Sequence, residues 1–171
     1  MTANPVDALP KGVFGFTRAF KAPRALVWKA WSEADRLKDW WGPKGCAVTV
    51  AGLEFRPGGF FHYSMVFPGS PPMWGRFFYR EIAAPDRIVW LNSFSNDGCG
   101  ITQAPFGIDF PLEVQNTVTF TERDGVTTVA LRSLPHGATI EQCAVFEGMF
   151  ESMQGGFGGT FDQLGAYLAK S

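Results

Sequence analysis

Residues 139–170, TIEQCAVFEGMFESMQGGFGGTFDQLGAYLAK, decide the fold, because they carry the longest helical pattern in the chain. Residues at three- and four-residue spacing, from Cys143 to Leu168, predict one helix with a single inward face. Thr139 and Gln142 stand at the spacing of a capping box, which predicts where the helix begins. At about 1.5 Å per residue this helix would be ~45 Å long, enough to cover a sheet.

Glycines are unusually frequent in this helical segment. Each interior glycine costs ~1 kcal/mol relative to alanine, so we expect a compensating close approach to the sheet or a bend. They are Gly148, Gly155, Gly156, Gly158, Gly159 and Gly165.

The hydrophobic period changes from helical to two in most of the chain before this helix. Residues 13–20 predict a first strand, and residues 23–41 predict two short helices that end at Gly42-Pro43. About six antiparallel strands follow between residues 46 and 136, the last two joined by a hairpin turn at Asp124-Gly125. Strands with one wet face need a cover on the other face, so the sequence predicts an α+β fold in which a curved sheet of about six to seven strands wraps the C-terminal helix.

Length and composition indicate one globular domain. The chain has 171 residues, of which 46% are hydrophobic and 18% charged. We expect a loose N-terminal arm over residues 1–12 and a single domain over residues 13–171. Seventeen phenylalanines are a high count, and rigid rings rarely fill an interior without gaps, which favours an internal cavity.

Several classes of function are disfavoured by charge and motif. Lysine and arginine number 15 against 16 acidic residues, so no basic face for nucleic acid is expected. The three cysteines are widely spaced and no cluster shows metal-ligand spacing, so neither a metal nor a cofactor is predicted. Without a secretory pattern or a membrane-length apolar run, a cytoplasmic location without membrane insertion is the expectation.

Five stretches of the chain form a recognisable set: FTRAFKAPRALVWKAWSEADRLKDWWGPKG, LEFRPGGFF, PDRIVWLNSFS, TVTFTERDGVTTVALRS and ESMQGGFGGTFDQLGAYL. Together they resemble one known family, the homologues of the activator of the heat-shock protein 90 ATPase, within the START-like helix-grip superfamily. The resemblance implies a helix-grip (START-like, Bet v-like) fold with a cavity between sheet and helix. The wider superfamily includes binders of lipids, hormones or polyketides as well as cyclases and dehydratases. The family name comes from eukaryotic proteins with an added chaperone-binding domain, so we expect the resemblance to transfer the fold rather than chaperone activation.

Two adjacent tryptophans, Trp40 and Trp41, precede the Gly42-Pro43 break. Neighbouring helical positions point ~100° apart, so both rings cannot enter one pocket equally. We expect one to pack in the core and the other to line the cavity mouth. The alternative is that both clamp the short helices onto the sheet.

The remaining residues predicted to line the cavity come from the inward strand faces and the helix face. For each aromatic residue, packing in a plain core is the alternative. The strand residues are Phe61, Tyr63, Met65, Trp90, Asn92 and Phe94, and the helix residues are Glu147, Phe150, Gln154, Phe157 and Phe161.

Three of these residues are polar on otherwise apolar faces: Asn92, Glu147 and Gln154. A buried polar group needs a partner, which predicts that at least one of them faces a ligand. Alternatively, the helix stripe is offset and Glu147 is solvated. By parity His62 falls on the face opposite Tyr63 and is expected to point outside.

We therefore expect a domain that binds a hydrophobic or amphipathic small molecule in a cavity walled by the sheet, the long helix and the loop 95–112. An enzyme of the cyclase, dehydratase or hydrolase type, using Glu147, Tyr63 or Asn92 to handle protons, is the alternative. A chaperone-interaction domain is suggested only by the family name. A homodimer is predicted from aromatic residues assigned to the outer sheet face, such as Phe60 and Tyr79.

Overall fold

The fold is the α+β helix-grip arrangement that the sequence predicted. The computed structural model describes residues 9–171, so positions 1–8 of the predicted arm lie outside the described residues. In chain order the elements are β1 (Phe14–Phe20), α1 (Arg24–Ser32), α2 (Ala34–Trp40), β2 (Ala47–Leu53), β3 (Phe60–Val66), β4 (Met73–Ala83), β5 (Arg87–Ser95), β6 (Ile101–Thr102), β7 (Glu113–Arg123), β8 (Val126–His136), α3 (Ile140–Gly148) and α4 (Phe150–Ala169).

One antiparallel sheet contains all the strands, in the order β1-β8-β7-β5-β4-β3-β2, with the short β6 paired to the end of β5. The β7–β8 hairpin turns at Asp124 and Gly125, whose φ angles are 54° and 78°. Positive φ at both central residues matches the twist of paired strands, and the predicted turn is confirmed. β5 lies in the middle of the sheet, and its inward side chains therefore face the centre of the covered space.

The C-terminal helix is two helices rather than one. Thr139 and Gln142 form the predicted capping box, with Thr139 Oγ1 accepting from the Gln142 N–H at 3.1 Å. The helix is interrupted at Met149, whose φ and ψ are −97° and 1°. The prediction of a continuous helix over residues 139–170 is therefore wrong, and α4 is only ~30 Å long.

The glycines of α4 do not all have the role that was expected. A Cβ at Gly155 or Gly156 would meet nothing within 4 Å, so close approach does not explain these two positions. A Cβ at Gly165 would lie 3.7 Å from the Phe20 ring, which is ordinary contact. Gly155 is exposed, and nothing in the described structure requires a glycine there.

An aromatic cluster around Trp31 joins the short helices, the sheet and α4. The ring centroid of Trp31 lies 4.8 Å from Trp40, 5.9 Å from Trp90 and 6.1 Å from Phe161. Trp31 is 2% exposed. Buried rings of this size dominate core energetics, so this cluster holds the three layers together.

The end of α2 is hydrogen-bonded directly to α4. The carbonyl of Gly42 accepts from Thr160 Oγ1 at 3.0 Å and from Gln163 Nε2 at 2.7 Å. Gln163 also donates to the carbonyl of Trp40 at 3.1 Å. These bonds satisfy the carbonyls that a helix end leaves unpaired and fix the segment that carries Trp41.

Two expectations for the outer face of the sheet are corrected. His62 lies on that face as parity predicts, but it is only 5% exposed, because its ring stacks on Trp74 at 4.9 Å and its Nε2 lies 3.1 Å from the Asn96 carbonyl. Tyr79 is 1% exposed and packs against Phe55 on the inner side, with ring centroids 5.2 Å apart. The assignment of Tyr79 to an exposed dimer surface is therefore wrong.

No helix among residues 9–171 has the length and apolar character needed to cross a membrane.

Candidate functional site

A cavity of about 250 Å³ lies between the sheet, the loop before β7 and the α3–α4 junction. Phe106 is 57% exposed and Ile108 is 36% exposed, so the loop residues mark the solvent side of this cavity. We call it the first cavity. It is lined by Trp41, Trp90, Asn92, Phe94, Ala104, Phe106, Ile108, Phe110, Val114, Asn116, Ser133, Phe146, Met149, Met153 and Phe157.

A second cavity of about 320 Å³ lies beside the first, toward β3 and the α2–β2 connection. The two cavities have a common wall made of Trp41, Asn92, Phe94, Met153 and Phe157. The second cavity is also lined by Gly42, Pro43, Tyr63, Met65, Gly75, Ser93, Gly156 and Thr160.

The common wall consists mainly of side chains from one face of β5 and one face of α4. On β5, Asn92 and Phe94 are two residues apart and therefore point to the same side of the sheet. On α4, Met153 and Phe157 are four residues apart and therefore lie on the same helix face. Trp41 completes the wall, with its ring in edge contact with Phe77 at 5.1 Å.

The paired tryptophans have different environments. Trp40 is 1% exposed and donates from Nε1 to the carbonyl of Ala30 at 2.9 Å, so it is part of the core. Trp41 caps α2 in an extended conformation (φ −69°, ψ 145°), which turns its ring toward both cavities.

The polar side chains of the cavity walls are few, and most are already bonded. Ser133 donates to Asn116 Oδ1, and Asn116 Nδ2 donates to the Val114 carbonyl at 3.4 Å. Thr160 donates to the carbonyls of Gly42 and Gly156. Two groups differ: no hydrogen bond within residues 9–171 uses the side-chain amide of Asn92, and the buried Trp90 Nε1 has no partner there either.

Neither cavity has an acidic or basic side chain in its described wall. The one titratable group with a perturbed pKa that faces a cavity chamber is Tyr63. Burial raises the pKa of Tyr63 to about 12, opposed by a hydrogen bond from the Trp41 indole. The phenol therefore stays protonated at neutral pH. Within residues 9–171 no group of three or more His, Cys, Asp or Glu side chains is arranged to hold a metal ion.

The structure brings seven of the predicted residues to the cavities and places the others elsewhere. Trp40, Phe61 and Phe161 are fully buried in the core, and Phe150 packs on Phe14 with ring centroids 5.6 Å apart. Glu147 and Gln154 are exposed and line neither cavity. The residues that line a cavity are Trp41, Tyr63, Met65, Trp90, Asn92, Phe94 and Phe157.

Sequence reasoning missed the residues that close the first cavity. The loop 95–112 was expected to form a wall, and its lining side chains follow a two-residue alternation that is visible in the sequence: Ala104, Phe106, Ile108 and Phe110. Met153 could have been found by stepping back four residues from Phe157 instead of three. Phe146, Met149, Val114, Asn116 and Ser133 were also missed.

The sheet, the covering helix and the cavities between them define a START-like helix-grip domain. Residues 21–169 match the model of the family described as Activator of Hsp90 ATPase homolog 1-like protein, and the chain belongs to this family. A search of the curated proteins finds no match to this chain.

Solved structures of similar proteins share the fold over most of their length. A Mycobacterium smegmatis protein is 25% identical with a TM-score of 0.74, covering 91% of this chain and 90% of that one. An Arthrobacter aurescens protein is also 25% identical with a TM-score of 0.74, covering 98% and 90%. An AHSA1 protein from Silicibacter pomeroyi is 17% identical with a TM-score of 0.66, covering 92% and 97%, and shows likeness of fold alone.

Proposed function

We propose that the protein binds a neutral, hydrophobic or amphipathic small molecule in the two adjoining cavities. The observation that carries the proposal is a pair of largely apolar chambers of about 250 Å³ and 320 Å³ that share one wall. Enclosed apolar sites with a few polar groups are typical of small-molecule binding. The family fold is consistent with a ligand-binding domain.

The charge of the ligand follows from the walls. A charged group that leaves water for an apolar chamber loses several kcal/mol of solvation unless an opposite charge meets it. No lysine, arginine, histidine, aspartate or glutamate lines either chamber in the described residues. A neutral ligand is therefore favoured over its ionised analogues.

Binding is favoured over acid–base catalysis by the same residues. The suggested acid–base pair of Glu147 and Tyr63 is not formed, because Glu147 is exposed outside both chambers. The raised pKa of Tyr63, about 12, makes it a hydrogen-bond donor rather than a proton acceptor at neutral pH. Asn92, the remaining residue of the enzyme hypothesis, does not titrate.

A matched pair of fluorescent probes tests the proposal. N-phenyl-1-naphthylamine is neutral, and 8-anilinonaphthalene-1-sulfonate carries the same rings with an added anionic sulfonate. We expect the neutral probe to bind at least about tenfold more tightly, since even a partial desolvation penalty exceeds 1.4 kcal/mol. Equal affinities, or preference for the sulfonate, would contradict a neutral enclosed site.

A cavity-filling variant locates the bound probe. Ala104→Phe adds a ring at the wall of the first cavity and should weaken binding of the neutral probe. Ala144→Phe adds the same ring at an exposed position of α3 and serves as the control. Loss of binding in both variants, or in neither, would place the probe outside the first cavity.

Homodimerisation stays a prediction, and Tyr79, one of the two residues on which it rested, is buried. Light scattering at tens of micromolar protein checks it, and a monomeric mass would count against it.

A further inference from the structure

We infer that the Tyr63 hydroxyl and the Asn92 amide form a donor pair that binds a carbonyl oxygen of the ligand in the second cavity. The inference rests on the proposed function and names the chemical group that this site would recognise.

Register and backbone place the two side chains over the same part of the sheet. Gly75 of β4 pairs with Tyr63 of β3 on one side and with Phe94 of β5 on the other. The tyrosine leans across β4, since a Cβ at Gly75 would come within 2.5 Å of the Tyr63 hydroxyl oxygen. Phe77, the next inward position of β4, pairs with Asn92. The hydroxyl therefore lies toward β5, and both polar groups line the second cavity.

Asn92 lacks the partner that a half-buried amide normally has. Its neighbours on the same strand face are Trp90 and Phe94. Trp90 carries a buried indole N–H without a partner in the described structure, but it lines the first cavity and not the second. Its amide makes no hydrogen bond to any side chain or backbone group within residues 9–171. The amide atoms are not among the fully buried atoms that lack a partner, so they are accessible from the cavity, where a ligand can bond them.

Ser93 and Thr160 also line the second cavity, and the Thr160 hydroxyl is already bonded to backbone carbonyls. Thr160 donates to the Gly42 carbonyl at 3.0 Å and to the Gly156 carbonyl at 3.1 Å. Tyr63 stays protonated because burial raises its pKa to about 12. A protonated phenol and a carboxamide both offer a proton to the same kind of partner, a neutral oxygen acceptor. Among neutral ligands, a ketone, aldehyde or ester carbonyl suits two such donors, since its oxygen carries two lone pairs.

Two neutral probes separate this inference from simple apolar binding. 6-Propionyl-2-(dimethylamino)naphthalene carries a ketone, and its emission shifts to the red when that ketone accepts a hydrogen bond. N-phenyl-1-naphthylamine is also neutral and aromatic but has no carbonyl. Titrations of both probes are compared in the wild type and in the variants Tyr63→Phe and Asn92→Leu.

Loss of one donor should raise the dissociation constant of the ketone probe by about fivefold to fifteenfold in each variant. The emission of the bound ketone probe should also shift to the blue. The affinity of N-phenyl-1-naphthylamine should change less than about twofold. Tyr167→Phe, which removes a hydroxyl that accepts from Arg36 outside both cavities, is the matched control and should change neither probe. Asn92→Ala replaces Asn92→Leu if the latter does not fold.

The outcomes distinguish the two proposals. If the wild type binds neither probe, the proposed function fails and this inference fails with it. If both probes bind but the two variants change them equally, or change neither, the proposed function stands and the carbonyl-binding pair is overturned.

Discussion

The Tyr63 ring occupies the space where Gly75 has no side chain: a methyl group at Gly75 would lie 2.5 Å from the tyrosine hydroxyl oxygen and 2.6 Å from Cζ. The ring is 3% exposed and stacks on Phe61 at 4.7 Å, so it has little room to move aside. The glycine thus determines where the phenol points, and the phenol defines one end of the second cavity.

Gly75→Ala should therefore displace Tyr63 and lower the free energy of unfolding by about 1–3 kcal/mol, the usual cost of overpacking a core. It should also reduce binding of the ketone probe by at least as much as Tyr63→Phe does. Urea unfolding and probe titration measure the two effects. A variant with wild-type stability and wild-type ketone binding would show that Tyr63 does not depend on Gly75.

Gly155→Ala should stabilise the protein. The residue is exposed in the interior of α4, and an added Cβ would meet nothing within 4 Å. Alanine at a helical position that accepts it raises the free energy of unfolding by about 0.5–1 kcal/mol. Gly42→Ala is the control with the opposite sign, because Gly42 has φ +96° and a Cβ there would lie 3.1 Å from Val48. Urea or thermal unfolding measures the change in stability of both variants. A loss of stability in Gly155→Ala would contradict the prediction and indicate a structural role for that glycine.

Substitution of Trp40 should mainly lower stability, whereas substitution of Trp41 should mainly change the affinity for the probe. Trp40→Phe removes a buried indole that donates to the Ala30 carbonyl at 2.9 Å and should cost about 1–3 kcal/mol of unfolding free energy. Trp41→Phe reshapes the wall between the two cavities, so we expect a smaller loss of stability and a clear change in probe affinity. Unfolding curves and titrations of N-phenyl-1-naphthylamine test both variants. The reverse pattern would mean that Trp40, not Trp41, faces the ligand.

Stability should fall at alkaline pH because of two buried tyrosines. Burial raises the pKa of Tyr63 to about 12 and raises that of Tyr79 as well, against about 10 in the unfolded chain. A raised folded pKa leaves stability intact below pH ~10, and above it the unfolded state loses protons that the folded state keeps. For each such tyrosine the free energy of unfolding should drop by about 1.4 kcal/mol per pH unit above pH ~10.

Urea unfolding of the wild type and of Tyr79→Phe over this pH range measures that slope. In Tyr79→Phe the free energy of unfolding should fall less steeply with pH, by about 1.4 kcal/mol per pH unit, which is the contribution of one proton. Equal slopes would mean that Tyr79 titrates in the folded protein as it does in the unfolded chain.

Much of the fold could be predicted because it rests on periodicity. The alternation on β5, the capping box at Thr139 and the Asp124-Gly125 turn all follow from local patterns, and each is found in the structure. The resemblance to the family supplied the arrangement of sheet and helix.

The site was harder to predict, for two physical reasons. Steps of three and of four residues both fit a helical period, so the pattern did not separate Gln154, which is exposed, from Met153, which lines both cavities, and Glu147 of α3 is also exposed. An apolar alternation runs through Ala104, Phe106, Ile108 and Phe110, but it lies in a segment broken by proline and glycine, where alternation does not by itself predict a strand. Phe77 and Tyr79 are two residues apart on β4 and share its inner face, so strand alternation from Phe77 would have predicted that Tyr79 is buried.

The most direct measurement of the central claim is an intermolecular NMR contact between bound N-phenyl-1-naphthylamine and the methionine methyl groups. Met149 and Met153 line the first cavity, Met65 and Met153 line the second, and Met73 lines neither. We predict nuclear Overhauser contacts from the probe rings to Met153 and to at least one of Met65 and Met149, with none to Met73. A bound probe that contacts Met73 alone, or no methionine of the cavity walls, would contradict binding in the enclosed chambers.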